Sequence, residues 1–239
     1  MAIHVLKDQK LWFGGYDVTG KANALGLDCG AEAVDDTVFG DTTRSRTGGL
    51  KTVAAQVEGF FDAAALGSVL YDNIGVKDVP MSFGAQGGAE NDVAYTFLAN
   101  LGQLQLGDEI GGMFDFSVGA EGSGDLIRAT LMHNAARTAT ANGTARQLGA
   151  VSATEKLYAA LHVVAASGTT PTLDVTVESD DASGFASPTT RITFAQKTAI
   201  GSEWATPVAG SITDDWWRIT WTITGTGPSF TFAVVVGIQ

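Results

Sequence analysis

Residues 52–61 of this chain alternate without a break: Val53, Ala55, Val57, Gly59 and Phe61 on one side, Thr52, Ala54, Gln56, Glu58 and Phe60 on the other. A period of two marks a strand with one buried face. The same pattern predicts strands carried by Val93, Tyr95 and Phe97, by Phe114, Phe116 and Val118, and by Ile127, Ala129 and Leu131. Between them, Asp62 precedes a run in which Leu66, Val69, Leu70 and Ile74 fall at helical spacing before Gly75, which predicts one helix of about three turns. Residues 30–49 show no sustained period and read as a long polar loop, of the kind that tends to be functional or to order against a partner.

Alternation returns in the second half. Leu173, Val175 and Val177 share a face, Ile192 and Phe194 continue it, Trp217, Ile219, Trp221 and Ile223 share another, and Phe230, Phe232, Val234 and Val236 form a final strand. Ser152-Ala-Thr-Glu155 is a capping-box pattern that allows a helix over 152–165. The alternation of Leu157, Ala159, Leu161 and Val163 favours a strand instead, joined to the next by a hairpin turn at Gly-Thr-Thr-Pro, residues 168–171. The expected fold is mainly β: an N-terminal β-sandwich or barrel with one short flanking helix over 1–133, and a C-terminal β-sandwich, jelly-roll or immunoglobulin-like, over 134–239. The boundary is placed where Thr, Ala, Asn and Gly take over at 134–148.

Composition agrees with this. Thirty glycines and only five prolines in 239 residues fit a turn-rich β-protein. Cys29 is the single cysteine and cannot form an intrachain disulfide, and the start Met-Ala-Ile-His-Val lacks a signal-peptide pattern, so synthesis in a reducing cytoplasm is expected. No apolar run reaches membrane-helix length.

The formal charge of −12 argues against binding to nucleic acid or anionic membrane, which requires cations to neutralise phosphate. Its distribution is uneven. Residues 1–133 hold 18 acidic and 8 basic side chains, net −10, against 8 and 6, net −2, in 134–239. Between 52 and 127 there are eleven acids, among them Glu58, Glu90, Asp92, Asp108, Glu109 and Asp115, and Lys77 alone to oppose them.

Catalytic chemistry finds no constellation. His4, His133 and His162 are far apart and outside any metal-ligand spacing, no Gly-x-Ser-x-Gly elbow or phosphate loop occurs, and Cys29 has no base beside it. The pairs Asp35-Asp36, Asp180-Asp181 and Asp214-Asp215 fit turns better than a calcium site, because neighbours on a strand point to opposite faces. No enzyme, no metal and no cofactor is expected. Trp204, Trp216, Trp217 and Trp221 raise a sugar-stacking surface, but alternation places Trp217 and Trp221 in the core, leaving Trp216 as the main surface aromatic.

The N-terminal half resembles the major tail tube proteins of long, non-contractile-tailed bacteriophages. The resemblance runs through Gln9-Lys-Leu-Trp-Phe-Gly-Gly, Asp35-Asp-Thr-Val-Phe-Gly-Asp-Thr-Thr-Arg44, Gly49-Leu-Lys-Thr, Val57-Glu-Gly-Phe-Phe and Phe114-Asp-Phe-Ser-Val-Gly-Ala-Glu-Gly. Gln147-Leu-Gly-Ala and the stretch from Pro171 to Asp181 resemble β-domains appended to phage structural proteins. The resemblance implies hexameric rings stacked into a tube, in a virion tail assembled in the host bacterial cytoplasm. It implies as partners further copies of the chain and the tape measure, tail terminator and distal tail proteins, with viral DNA passing through unbound and no membrane. It implies an inter-ring loop carrying Asp35, Asp36, Asp41, Arg44 and Arg46, and a lumen lined by Glu58, Glu90, Asp92, Asp108, Glu109 and Asp115. The C-terminal domain would then lie outside the tube, with weak host-glycan contact. Two readings stay open beside this one: another virion component such as a head decoration protein, and a cell-surface glycan-binding module using Trp216.

Overall fold

The computed structural model describes residues 9–62, 68–107 and 109–239. Fifteen strands and one helix make up these residues, so the chain is mainly β as the alternation requires. They form two compact units. The larger contains Val79–Thr96, Ile127–Gln239 and the described residues of Met1–Gly20, and the smaller Lys21–Asp78 and Phe97–Leu126.

This division differs from a cut at 134. That position lies inside β8 (Ile127–Arg137), whose residues 129–137 pair with 230–237 near the C-terminus. The change in composition at 134–148 reflects short exposed strands, whereas unit membership follows the pairing of strands distant in sequence.

The larger unit is organised by two strands of unusual length, β11 (Lys156–Asp180) and β15 (Trp216–Ile238), paired antiparallel along almost their whole extent. Residues 152–155 make a turn, with the Glu155 carboxylate accepting from the Ser152 N–H at 2.9 Å, and the strand begins immediately after it. The expected hairpin at 168–171 is instead an interruption within β11, where the register shifts. It lies opposite Gly225-Thr-Gly-Pro228 of β15, so both strands break at one level. Gly168 and Gly225 have φ of +118° and +119°, and a Cβ at Gly225 would lie 2.9 Å from the Pro171 Cα. Only glycine fits there without strain.

On either side of this break the ribbon acquires different neighbours. Its first level pairs with β8, β13 (Gly201–Trp204) and β14 (Val208–Ala209), and its second with β9 (Ala141–Asn142), β10 (Arg146–Gln147) and β12 (Thr189–Thr193). Leu157, Leu161, Leu173, Val177, Trp217, Ile219, Phe230 and Phe232 meet in one buried cluster. Ala160, Ala233 and Val235 face the other way, packing on Trp12, Ala94 and Leu131. Burial on both faces explains why 230–238 reads as a nearly continuous apolar run. Beyond β8 the sheet continues through Val93–Thr96 at the start of β6 (Val93–Leu106), then β5 (Val79–Gly84), β1 (Lys10–Phe13) and β2 (Tyr16–Asp17).

The smaller unit is a four-stranded antiparallel sheet in the order β3 (Ala22–Asp35), β4 (Arg46–Phe60), β7 (Asp115–Gly122) and residues 97–106 of β6. Val53, Ala55 and Val57 of β4 and Phe116, Val118 and Ala120 of β7 are buried on one face. The helix α1 (Ser68–Asp72) contributes buried Val69 and Leu70. It is shorter than the three turns expected; residues 63–67 of that expectation lie outside the described residues. The segment 30–49 is also not a loop: β3 continues to Asp35 and β4 starts at Arg46, so only residues 36–45 connect them. Sequence periodicity misses this hairpin because its end is exposed on both faces, which removes the alternation that burial imposes.

Candidate functional site

The outward face of the smaller unit's sheet is set by the same alternation that buries the other face. Register aligns Asp28, Ala54, Glu121 and Asn100 in one row across the four strands, Gly26, Gln56, Gly119 and Gln103 in the next, and Ala24, Glu58, Ser117 and Gln105 in a third. Asp115 follows opposite Phe60. These positions carry carboxylates, amides and small residues, with no lysine or arginine. The Gln56 amide donates to the Glu58 carboxylate at 2.9 Å. Because Gly26 and Gly119 have no side chains, the face dips into a shallow depression of about 330 Å³, bordered by Asp28, Gln56, Gln103, Gln105 and Glu121.

Six acids were singled out in the sequence for such a face. Glu58 and Asp115 lie on it, and Glu109 lies in the β6–β7 turn at its end. Asp108 is outside the described residues. Glu90 and Asp92 belong to the larger unit and do other work. The Asp92 carboxylate accepts from the Ala89 N–H at 3.0 Å, and Glu90 sits among cations, 2.8 Å from His133 Nδ1 and 3.8 and 3.9 Å from Arg146 and Arg137. The structure adds Asp28 and Glu121, with the glutamines. Only knowledge of which strands pair would have placed them in rows with Glu58.

The hairpin end holds Asp35, Asp36, Asp41, Arg44 and Arg46. Asp35 accepts from the Thr37 N–H at 3.1 Å and from its hydroxyl, Asp36 accepts from the Thr47 hydroxyl, and Asp41 accepts from the Val38 N–H at 3.0 Å. The hydrogen bonds from Thr37 and Thr47 hold the carboxyls of Asp35 and Asp36 below their ordinary pKa. The three acids thus fix the turn, while Arg44 and Arg46 have no carboxylate within ion-pair distance among the described residues. Beside them Val34, Val38, Phe39 and Leu50 are exposed.

Two histidines are buried in the larger unit. His162 Nδ1 lies 2.7 Å from the Gly14 carbonyl oxygen, which can only accept, so this nitrogen carries the proton. Its Nε2 lies 2.8 Å from the Ser82 hydroxyl, itself 2.6 Å from the Thr96 hydroxyl, and Trp12 stacks on the ring. Burial lowers its pKa to about 4, so it is neutral near pH 7. A serine beside a histidine resembles a nucleophile with its base, but Ser82 is fully buried and the far imidazole nitrogen meets a carbonyl where a carboxylate would be needed. His133 packs against Trp221 and Phe232, which also meet each other edge to face, and burial lowers its pKa against the opposing pull of Glu90.

The paired aspartates of the larger unit serve turns and a local network. Asp180 accepts from the N–H groups of Ala182 and Ser187, and Asp214 accepts from Ser179 and Arg191. No group of His, Cys, Asp or Glu among the described residues is arranged to hold a metal ion. No helix among them is long and apolar enough to cross a membrane. Trp217 and Trp221 are buried and donate to the carbonyls of Gly149 and Ala139. Trp204 is half-buried beside Tyr158, and Trp216 is half-buried opposite Asp180.

No protein-family model and no curated protein matches the chain. Solved structures similar to it include a chain of the virion of a native gene transfer agent particle, at 13% identity over 53% of this chain and 98% of that one, TM-score 0.42. The SPP1 tail tube is similar at 12% identity over 53% and 78%, TM-score 0.43. The tail of an empty gene transfer agent particle, refined with C6 symmetry, is similar at 13% identity over 44% and 80%, TM-score 0.37.

Proposed function

We propose that this chain is a structural subunit of a phage tail tube, which assembles edge to edge into rings, six copies to a ring, around a channel lined by the carboxylate and amide face of the smaller unit. The observation that carries the reading is the open edge of that sheet. β3 is 14 residues long, pairs only with β4 among the described residues, and contains neither proline nor lysine. Such an edge presents unused N–H and C=O groups to a further strand, and natural monomers usually blunt it. On β6 the Leu101 position is already bridged by Ile74, with the Gly75 N–H donating to the Leu101 carbonyl, so residues 102–106 are the part that meets β3 of a neighbouring copy, and closing the ring pairs both edges of this sheet.

A face bearing Asp28, Glu58, Asp115 and Glu121 without a cation suits the inside of a genome conduit. Carboxylates repel phosphate, so DNA keeps its counterions and slides where a basic wall would hold it. Arg44 and Arg46 on the projecting hairpin meet the next ring. The tape measure, tail terminator and distal tail proteins meet the tube within and at its ends. Electron microscopy of the purified chain tests this. Hollow tubes or six-fold rings are the expected result, and persistent monomers or trimers at high concentration overturn it.

A further inference from the structure

Along β15, Trp216, Arg218, Thr220, Thr222 and Thr224 alternate with Trp217, Ile219, Trp221 and Ile223, which are in the buried cluster, and so form the outward face of the larger unit's second level. Register sets Asp180, Glu178, Thr176, Asp174 and Thr172 of β11 beside them in the same order. Neighbouring strands widen the face. Asn142 of β9 and Thr193 of β12 extend the Thr220–Thr176 row to four strands, and Gln147 of β10 adjoins Trp216. Outward positions about 6.8 Å apart make this strip roughly 27 Å long from Trp216 to Thr224.

Its charged groups all have partners. The Arg218 Nε donates to the Glu178 carboxylate at 2.9 Å, the Gln196 amide donates to the two Asp174 oxygens at 3.1 and 3.0 Å, and Asp180 accepts from the N–H groups of Ala182 and Ser187. The threonines keep capacity in reserve. Thr172 and Thr224 share one hydrogen bond at 2.6 Å, and Thr176 and Thr220 share one at 2.8 Å, so each pair retains a second hydroxyl proton and further lone pairs for a ligand. Threonine is stiff at χ1, and these strands are paired on both sides, so the groups are held in fixed places.

That chemistry selects among partners. Protein contacts centre on apolar and aromatic anchors, and Ile200, just before β13, is the one large apolar side chain left exposed among the described residues after 133. Nucleic acid and anionic membrane need unpaired cations, and Arg218 is committed to Glu178. A neutral sugar chain needs rows of hydroxyl and amide groups with an aromatic ring to take its apolar face. Thr220, Thr222, Thr224, Asn142 and Trp216 supply them.

We propose that this face binds a neutral, linear glycan, its chain running along β15 from Trp216 to Thr224. At about 5 Å per sugar ring, a strip of roughly 27 Å holds about five rings. The site lies within the larger unit and does not depend on assembly.

The full chain is screened on an array of neutral hexose, deoxyhexose and N-acetylhexosamine chains of graded length, beside sulfated and sialylated ones, and the strongest hit is titrated by calorimetry. The expected result is binding to at least one neutral chain, stronger with each added unit up to about five, and little changed between about 0.05 and 0.5 M sodium chloride. Thr176→Val combined with Thr220→Val keeps the branched shape and removes two hydroxyls that bond only each other within the chain. It weakens binding about tenfold or more with the thermal midpoint within about 2 °C, and Trp216→Ala weakens binding as well. No neutral glycan bound at millimolar concentration, binding confined to the charged glycans, or full affinity in the valine pair overturns the proposal.

Discussion

His162 shows what one buried polar residue can enforce. The Ser82 hydroxyl donates its single proton to the neutral imidazole, and the single Thr96 hydroxyl proton is shared between the Ser82 oxygen at 2.6 Å and the Met81 carbonyl at 3.0 Å. With the imidazole donating in turn to the Gly14 carbonyl, the network links β6, β5 and β11 to the β1–β2 turn. With a folded pKa near 4 and an unfolded value near 6.5, the unfolded state binds more protons between those limits. Stability is therefore fully present above about pH 6.5 and falls as pH drops toward 4, by up to about 1.4 kcal/mol per pH unit. His133, also lowered by burial, acts in the same direction. Denaturant unfolding at several pH values checks this: His162→Gln flattens the slope by close to one proton, and an unchanged slope contradicts the assignment. Trp217 offers a second check. Trp217→Phe leaves the Gly149 carbonyl without its indole donor and costs about 1–3 kcal/mol, read as a shift of the urea midpoint.

Among the elements, burial decided what the sequence revealed. Val53 to Phe60, Leu173 to Val177 and Trp217 to Ile223 alternate because one face is covered, and all three are strands. The hairpin end at 30–49 was invisible because both faces are exposed. The Gly-Thr-Thr-Pro segment looked like a chain reversal, since turn residues mark departures from regular backbone and do not say whether the strand resumes with the same partner. Its role in β11 appears only when Gly225-Thr-Gly-Pro228 is seen opposite it. Gly225→Val forces a β-branched residue to φ +119° against Pro171, and lowers the thermal midpoint by about 5 °C or more. Gly184→Ala, in open space within the same unit, leaves it nearly unchanged. At the hairpin apex, Phe39→Ser changes monomer stability by less than about 0.5 kcal/mol, because the ring touches little of its own chain.

For the whole molecule, charge is where sequence and structure meet most closely. The acid excess credited to residues 1–133 belongs more sharply to the smaller unit, which holds 14 acidic and 5 basic side chains, net −9, and leaves −3 for the larger. The surplus was legible. The face it occupies was not, because Asp28, Glu58 and Glu121 come from three strands whose register no local pattern fixes. Bringing such faces together around a ring costs electrostatic repulsion that salt screens, so assembly followed by light scattering should be faster at about 0.5 M than at about 0.05 M sodium chloride. Slower assembly at the higher salt would instead mark attraction between opposite charges as the driving term.

The central claim is that the acidic sheet face lines a channel made by copies of this chain. A cryo-EM map of the assembled particle tests it most directly. The account predicts stacked rings in which Asp28, Gln56, Glu58, Gln103 and Glu121 face the lumen and β3 of each copy pairs with β6 of its neighbour. Rings with that face turned outward, or an assembly in which β3 remains unpaired, would contradict it.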